Sequence, residues 1–297
     1  MQAMILAAGF GTRLLPYTRL RPKPLFPLLN EPLLLLTIRR LQAAGFDRII
    51  VNCHYLREQI VAALDDLSGV IIQEEETVLG TGGGLRMAMG SLRNEPLLVT
   101  NGDIYHTVSF SELYHSHDPE HFGVTMGMHD YPRFNKVTVQ ENRVTSFDNE
   151  GAGRLMAFTG LHVLNPELLQ TIPEKKEYSI IDRYRELLQE GESIQALHVD
   201  GCSWTDMGCV EDYLALHGRL LHREIPLWEE FSSPPRSPFH VSKNARGTKQ
   251  ACLEDWACIG CARLEQGSKL KRCVVWDHSL VERGGEHVDQ LIVPQTR

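Results

Sequence analysis

The chain has 297 residues, 42% hydrophobic and 23% charged, with a formal net charge of -8. This is the composition of a folded globular protein, and the acidic balance argues against nucleic acid as an electrostatic partner. The aliphatic run Leu33–Leu36 falls far short of the roughly 18 residues of a membrane span, so no membrane partner is expected. Seven cysteines are an odd number for a disulfide framework. The run Met4-Ile5-Leu6-Ala7-Ala8 leads into a glycine loop, not a cleavage site, which predicts a reduced, cytoplasmic protein without a signal peptide.

Over residues 1–223 short apolar runs alternate with helical patterns, the signature of a mostly parallel, doubly wound α/β sheet. Strands are predicted at Ala3–Ala7, Arg48–Asn52, Gly69–Gln73 and Leu97–Asn101. Pro32–Ala44 reads as a helix by its leading proline and trailing Gly45, followed by helices over Tyr55–Leu64 and Thr81–Met89. After Asp103 the pattern turns mixed, with strands at Phe122–His129, Val137–Gln140, Arg143–Phe147 and Ala157–Val163, several of them antiparallel. Ser179 and Asp182 resemble a capping box for a helix through Leu188, and a last helix spans Val210–His222. Residues 224–240 form a proline-rich, extended linker. Over residues 241–297 Ile259, Leu264, Leu270, Val275 and Val281 recur at five- to six-residue spacing, with glycines at candidate corners. Such hexapeptide spacing predicts a small β-helix-like module of about three coils.

The segment Leu6-Ala7-Ala8-Gly9-Phe10-Gly11-Thr12-Arg13-Leu14 places a glycine turn directly after the first strand, where backbone N–H groups can meet a phosphate. It lacks the third glycine of a dinucleotide fingerprint and the Gly-Lys-Ser/Thr of a Walker loop. It carries its own cation, Arg13, and Lys23 follows between Pro22 and Pro24, which restrain the backbone on both sides.

Gly-x-Gly-Thr-Arg-Leu-x-Pro followed by Pro-Lys-Pro resembles the sugar-1-phosphate nucleotidylyltransferases, most closely the mannose- or heptose-1-phosphate guanylyltransferases and the muramate-1-phosphate uridylyltransferases. The resemblance spans residues 1–223 and implies a Rossmann-like α/β/α sandwich with the nucleotide at the C-terminal edge of the sheet. It implies nucleotide contacts from Leu6, Ala7, Ala8, Gly9, Gly11, Thr12 and Arg13, and from Thr81, Gly82 and Gly83 of the Gly80–Gly84 run. Glycines that open a helix are costly there, by roughly 1 kcal/mol each, which reads as a ligand's close approach. Asn101-Gly102-Asp103 resembles the strand end that carries the metal-binding aspartate, with Asn101 and Gly102 on the nucleotide. Thr159 and Gly160, with Trp204 of the Trp-x-Asp-x-Gly turn, are implied on the sugar, and Asp206 as second metal ligand.

The reaction implied is NTP plus sugar 1-phosphate giving NDP-sugar and pyrophosphate, with Mg²⁺ on Asp103 and Asp206, Lys23 on the reacting phosphates and Arg13 on the departing pyrophosphate. A sugar phosphate, with a second pKa near ~6, is already a nucleophilic dianion, so no general base is expected. GTP with a mannose- or heptose-type 1-phosphate stands ahead of UTP. Alternatives are a regulatory homologue that binds nucleotide-sugar without turnover, or a phosphocholine cytidylyltransferase. Many relatives carry a Glu-Lys pair for the sugar after the strand at Arg143–Phe147; here Ser146–Gly151 has no lysine, and Lys136 is a candidate substitute. Cys258 and Cys261 have Cys-x-x-Cys spacing, for which zinc and simple packing are both readings. His106, His115, His117 and His121 are expected on a solvated surface. The C-terminal module is expected to serve packing or homo-oligomer assembly and to carry no catalytic residue.

Overall fold

The computed structural model describes residues 1–295. Its contacts gather the chain into two units: Met1–Phe10 with Thr37–Trp204, and residues 11–36 with the chain from Thr205 onward. Neither unit is a single contiguous stretch.

The first unit holds a nine-stranded sheet. Its strands are β1 (Gln2–Leu6), β2 (Arg48–Cys53), β3 (Val70–Glu74), β4 (Leu97–Asn101), β5 (Val124–His129), β6 (Val137–Gln140), β7 (Arg143–Ser146), β8 (Arg154–Leu164) and β9 (Ile194–His198). They lie in the order β3-β2-β1-β4-β8-β5-β9-β7-β6. The β3-β2-β1-β4 portion is parallel. Its crossovers carry helices α1 (Leu33–Ala43), α2 (Arg57–Leu64) and α3 (Gly80–Ala88), and α4 (Phe110–His115) comes between β4 and β5 in the chain. β1 reads as an almost unbroken apolar run because it is central and covered on both faces, with Ala3, Met4 and Ile5 fully buried. From β8 onward the sheet is mixed, β8 running antiparallel to β4 and β5. The register of β8 on β5 slips between Phe158 and His162, at Gly160, whose φ of 79° makes this a bulge. An apolar cluster from Met4 and Ile50 through Met126, Met128 and Tyr184 fills part of the unit, and Ala3, Ile5, Ile49, Val51 and Leu98, which alternate with its members along the strands, are buried as well. Ser179 caps helix α5 (Ile180–Gln189), its side chain accepting the Ile181 N–H.

Two histidines expected at the surface are buried instead. His117 bonds Thr125 Oγ1 (2.9 Å) and Asn165 Oδ1 (3.1 Å). His106 lies against Arg40, whose guanidinium donates to the carbonyls of His106 and Val108 (2.9 and 2.7 Å). His106 ends the short strand Ile104–His106, and His117 follows the helix Phe110–His115. His115 and His121 are exposed.

The second unit begins with residues 11–36, which end in a tight hairpin, Pro27–Leu28 against Glu31–Pro32. Leu29 and Asn30 at its tip both adopt left-handed backbone, φ 48° and 67°. For leucine this is an uncommon conformation, and it persists because the tip is gripped. Helix α6 (Val210–Leu221) presents Tyr213 and His217, one turn apart. The Tyr213 hydroxyl donates to the Pro27 carbonyl, and the Leu29 N–H donates to His217 Nε2 (3.3 Å). Asn30 Nδ2 donates to the Ile259 carbonyl (3.1 Å), while the Cys258 thiol donates to Asn30 Oδ1 (3.3 Å). The linker is irregular, and its Trp228 and Phe231 are buried. Beyond it β10 (Phe239–Val241), β11 (Cys252–Ile259), β12 (Lys269–Val275) and β13 (Glu286–Val288) pair in parallel. Ile259, Leu264, Leu270, Val275 and Val281 all point into one small core.

His217 gives this packing a pH dependence. Its Nδ1–H donates to the Tyr213 carbonyl (2.9 Å) and Nε2 accepts, so the ring must be neutral. Burial lowers its pKa from 6.5 to about 4. Between those values the unfolded chain binds more protons, so stability is full above pH 6.5 and falls as the pH drops toward 4, by up to ~1.4 kcal/mol per unit. Urea unfolding midpoints are expected to drop from pH 7 to pH 5, and to drop less in His217→Gln. Equal drops in both proteins would show that this ring does not titrate on unfolding.

Candidate active site

In the first unit the segment Leu6–Phe10 leaves β1 at the C-terminal edge of the parallel strands, with Leu6 in register with Asn52 and Asn101. The Ala7 N–H donates to Asn52 Oδ1 (2.7 Å). Asn52 Nδ2 donates to Glu75 Oε1 (2.8 Å), and Glu75 Oε2 accepts the Leu79 N–H (3.1 Å). Asn52 and Glu75 are 2% and 1% exposed, so this chain of bonds ties the glycine loop to the start of α3 out of contact with water. The motifs point to neither residue. Asn52, a polar residue closing an apolar strand, was a visible signal, whereas Glu75 inside Glu74-Glu75-Glu76 looks like any solvated charge run.

The glycines divide by what they touch. Around Gly80–Gly84 it is protein that leaves no room, which corrects the expectation of ligand approach alone. A Cβ on Gly83 would lie 2.5 Å from the Lys176 carbonyl oxygen, and one on Gly84 2.8 Å from Glu75 Oε1. The N–H groups of Gly82 and Gly83 donate to the Tyr178 carbonyl (2.8 and 3.2 Å). Thr81 Oγ1 accepts the Ile180 N–H (2.9 Å), at the start of α5. Gly9 differs: it is exposed, its φ is ordinary, and a Cβ there would meet no protein atom within 4 Å.

Asn101 ends β4, and Gly102 and Asp103 follow it, the Gly102 N–H donating to the Leu6 carbonyl (2.9 Å) and Asp103 remaining partly exposed. The bulge in β8 brings Gly160 against Asn101, where a Cβ would sit 2.5 Å from Nδ2. Trp204 Nε1 donates to the Thr159 carbonyl (2.9 Å), and Thr159 Oγ1 donates to that of Gly127 (2.7 Å). Asn101, Thr159, Gly160 and Trp204 are thus one interlocked patch. Lys136 is exposed, and Asp148, in the lysine-free loop, pairs with Arg185 (2.8 Å).

The second unit carries the cations. Gly11 turns the chain with φ 63°, and a Cβ there would lie 2.8 Å from Thr18 Cγ2. A short turn, Thr12–Leu14, follows it and leaves Arg13 64% exposed at the side chain. Pro22 opens a second short turn, Lys23–Leu25. Lys23 Nζ is 3.5 Å from Asp206 Oδ1 and Arg13 Nη2 is 3.7 Å from Asp206 Oδ2. The Lys23 side chain is only 8% exposed, that of Asp206 17%. Gly208 completes the turn because a Cβ would sit 2.5 Å from Arg13 Nη1 and 2.8 Å from Asp206 Oδ2. Two cations thus converge on one partly buried carboxylate, placing donors suited to phosphate oxygens side by side.

Among the described residues no three His, Cys, Asp or Glu side chains gather as a metal site of their own. Cys258 is buried, and desolvation raises its thiol pKa, the reverse of what a zinc thiolate needs. Among the described residues no helix is long and apolar enough to cross a membrane.

Residues 2–223 match the family described as nucleotidyl transferase. A mannose-1-phosphate guanylyltransferase of Mycobacterium tuberculosis is 30% identical over 300 residues, covering 96% of this chain and 82% of its own. An N-acetylmuramate alpha-1-phosphate uridylyltransferase of Neisseria meningitidis is 34% identical over 183 residues, covering 58% of this chain and 78% of its own. In fold, the crystal structure of HddC from Yersinia pseudotuberculosis is similar with a TM-score of 0.62 at 24% identity, over 72% of this chain and 97% of that one. The chain therefore belongs to the nucleotidyl transferase family. Within it, it is a sugar-1-phosphate nucleotidylyltransferase.

The packing account of the glycines is open to test. Gly83→Ala is expected to destabilise the protein by about 1–3 kcal/mol through overpacking against the Lys176 carbonyl. Gly90→Ala, where a Cβ meets nothing within 4 Å, serves as control and should change little. Thermal melts without ligand check both. Unchanged stability of Gly83→Ala would return that glycine to the ligand.

Proposed function

We propose that the chain transfers a nucleotidyl group from GTP to a mannose- or heptose-type 1-phosphate, with UTP the next nucleotide to consider. The observation that carries the assignment of roles is the Lys23–Asp206–Arg13 group, a buried ammonium and an exposed guanidinium on the same carboxylate. The phosphate dianion of the sugar attacks the α-phosphorus of the NTP, the bond to the β-phosphate oxygen breaks, and pyrophosphate leaves with that electron pair. No proton needs to move, so positioning and charge neutralisation supply the catalysis. Lys23 neutralises the reacting phosphates, and the forked donors of Arg13, with the Gly11 and Thr12 N–H groups, hold the pyrophosphate half. Gly9, whose missing side chain no protein contact requires, admits a phosphate to the backbone. Leu6, Ala7, Ala8, Asn101 and Gly102 complete the nucleotide contacts, with Thr81, Gly82 and Gly83 beside it. Thr159, Gly160 and Trp204 serve the sugar, and Lys136 is the candidate for the cation that the Ser146–Gly151 loop lacks.

The metal assigned by resemblance to Asp103 and Asp206 is Mg²⁺. Each offers carboxylate oxygen at a position that is neither sealed off nor fully exposed, and Mg²⁺ is bound by one or two carboxylates plus phosphate oxygens, without a protein cage. When bound it supplies charge neutralisation on phosphate oxygens. The C-terminal module is read as a short left-handed β-helix-like stack. The 17-residue offsets of Cys252↔Lys269 and Lys269↔Glu286 support this reading. Half-exposed Val288 and Leu280 support a second role in homo-oligomer assembly.

Lys23→Ala is expected to lower turnover at least about a hundredfold with the melting temperature little changed, because its charge acts on developing phosphate charge. Arg13→Ala is expected chiefly to raise the KM for NTP. Pyrophosphate release, screened with each NTP against mannose, heptose, glucose and muramate 1-phosphates and against phosphocholine, checks the substrate. Turnover only with CTP and phosphocholine, or nucleotide-sugar binding without turnover, would replace this reading.

A further inference from the structure

Trp276 follows β12 in the C-terminal module and is 2% exposed. Its indole grips the segment that carries Lys23 on both sides. The Arg21 guanidinium lies 5.1 Å over the ring, and Phe26 meets it edge-on with centroids 4.7 Å apart. Tyr17 packs at 6.5 Å. Trp276 Nε1 donates to the Tyr213 hydroxyl (3.2 Å), which itself donates to the Pro27 carbonyl. One rigid side chain therefore touches the residue two before Lys23 and the residue three after it.

What lies between is buried from Pro22 to Leu25, so its place is set by the side chains packed around it. Lys23–Leu25 is a single short turn, closed by Leu25 N–H to the Pro22 carbonyl (2.9 Å) and Phe26 N–H to the Lys23 carbonyl (3.0 Å). Such a turn has poorer hydrogen-bond geometry than an α-helix, so its position depends on packing against neighbouring elements. The prolines restrain its internal shape, but they do not set where the turn as a whole is placed. The indole has two torsions, both packed, so it holds its neighbours at small entropic cost.

We propose that Trp276 is a positioning residue for Lys23, so that the C-terminal module acts on the reaction through the placement of one turn. The inference rests on the reading that Lys23 acts on the reacting phosphates. Trp276 itself touches no substrate in this scheme.

The test measures kcat and KM by pyrophosphate release from the full-length chain, with melting temperatures alongside. Trp276→Ala is expected to lower kcat about tenfold or more while the KM for NTP stays within about twofold, since displacement of a catalytic group acts on the transition state. Trp276→Phe, which keeps a ring face for Arg21 and Phe26, should recover part of that loss. Val281→Ala, a cavity in the core of the same module, should lower the melting temperature yet leave kcat within about twofold. In a Lys23→Ala background, Trp276→Ala should cost at most about twofold more. The proposal is overturned if Trp276→Ala leaves kcat intact, if it costs the same with and without Lys23, or if Val281→Ala lowers kcat as much. Should Trp276→Ala not fold, Arg21→Met replaces it in the same cycle, with the same outcomes deciding. If Lys23→Ala alone keeps the parent rate, the catalytic reading of Lys23 has failed, and the inference with it. If Lys23→Ala is inactive and Trp276→Ala is normal, only the inference has failed.

Discussion

An ammonium held almost out of water needs a structure around it that does not give way, and Lys23 imposes that demand on the whole second unit. Removing a charge from water costs several kcal/mol unless partners replace the lost hydration. Asp206 is one such partner, and Arg13 meets the same carboxylate. The arrangement holds only while the elements around it keep their places. The surrounding devices serve that end. Prolines flank the lysine, Gly11 and Gly208 allow atoms to approach where a Cβ would collide, and the strained hairpin tip at Leu29–Asn30 is bonded to α6 and to β11.

The first unit meets a different demand, which is to keep backbone N–H groups presented at the end of β1. Its solution is a buried polar chain, Ala7 to Asn52 to Glu75 to Leu79, in which every donor has a specific acceptor. Such a chain is costly to leave half-made, so it restricts the loop to one arrangement. The glycine run that opens α3 belongs to this same network, because Gly84 must pass within contact distance of both Asn52 and Glu75. Glycine here answers to protein packing, whereas at position 9 it answers to nothing in the protein. A glycine-rich motif thus mixes two unrelated physical requirements under one spelling.

Overall acidity and local positive charge coexist without conflict. A net charge of -8 is spread over a large surface, and at physiological salt it is screened beyond about 8 Å. The cations that matter lie within 4 Å of one carboxylate, well inside that distance. This separation of scales lets an acidic protein remain suited to a small, highly charged phosphate ligand.

The local pattern was enough to locate the parallel strands and α5, because an apolar run buried on both faces and a capped amphipathic segment each have one stable solution. The loop chemistry was equally legible: Arg13 and Lys23 stand out since glycine and proline spacing is a backbone property, written residue by residue. Asp206 came only with the family pattern, and the tertiary structure then brought it to the two cations from 183 residues beyond Lys23. Glu75, His117, Tyr213 and Trp276 were not legible at all. Each is defined by a partner distant in sequence, and a charged, polar or aromatic side chain looks the same alone whether it meets water or a buried acceptor. That residues 11–36 group with the chain from Thr205 onward was likewise decided only by folding. Periodicity reports which face of an element is apolar; it carries no information on which other element covers that face.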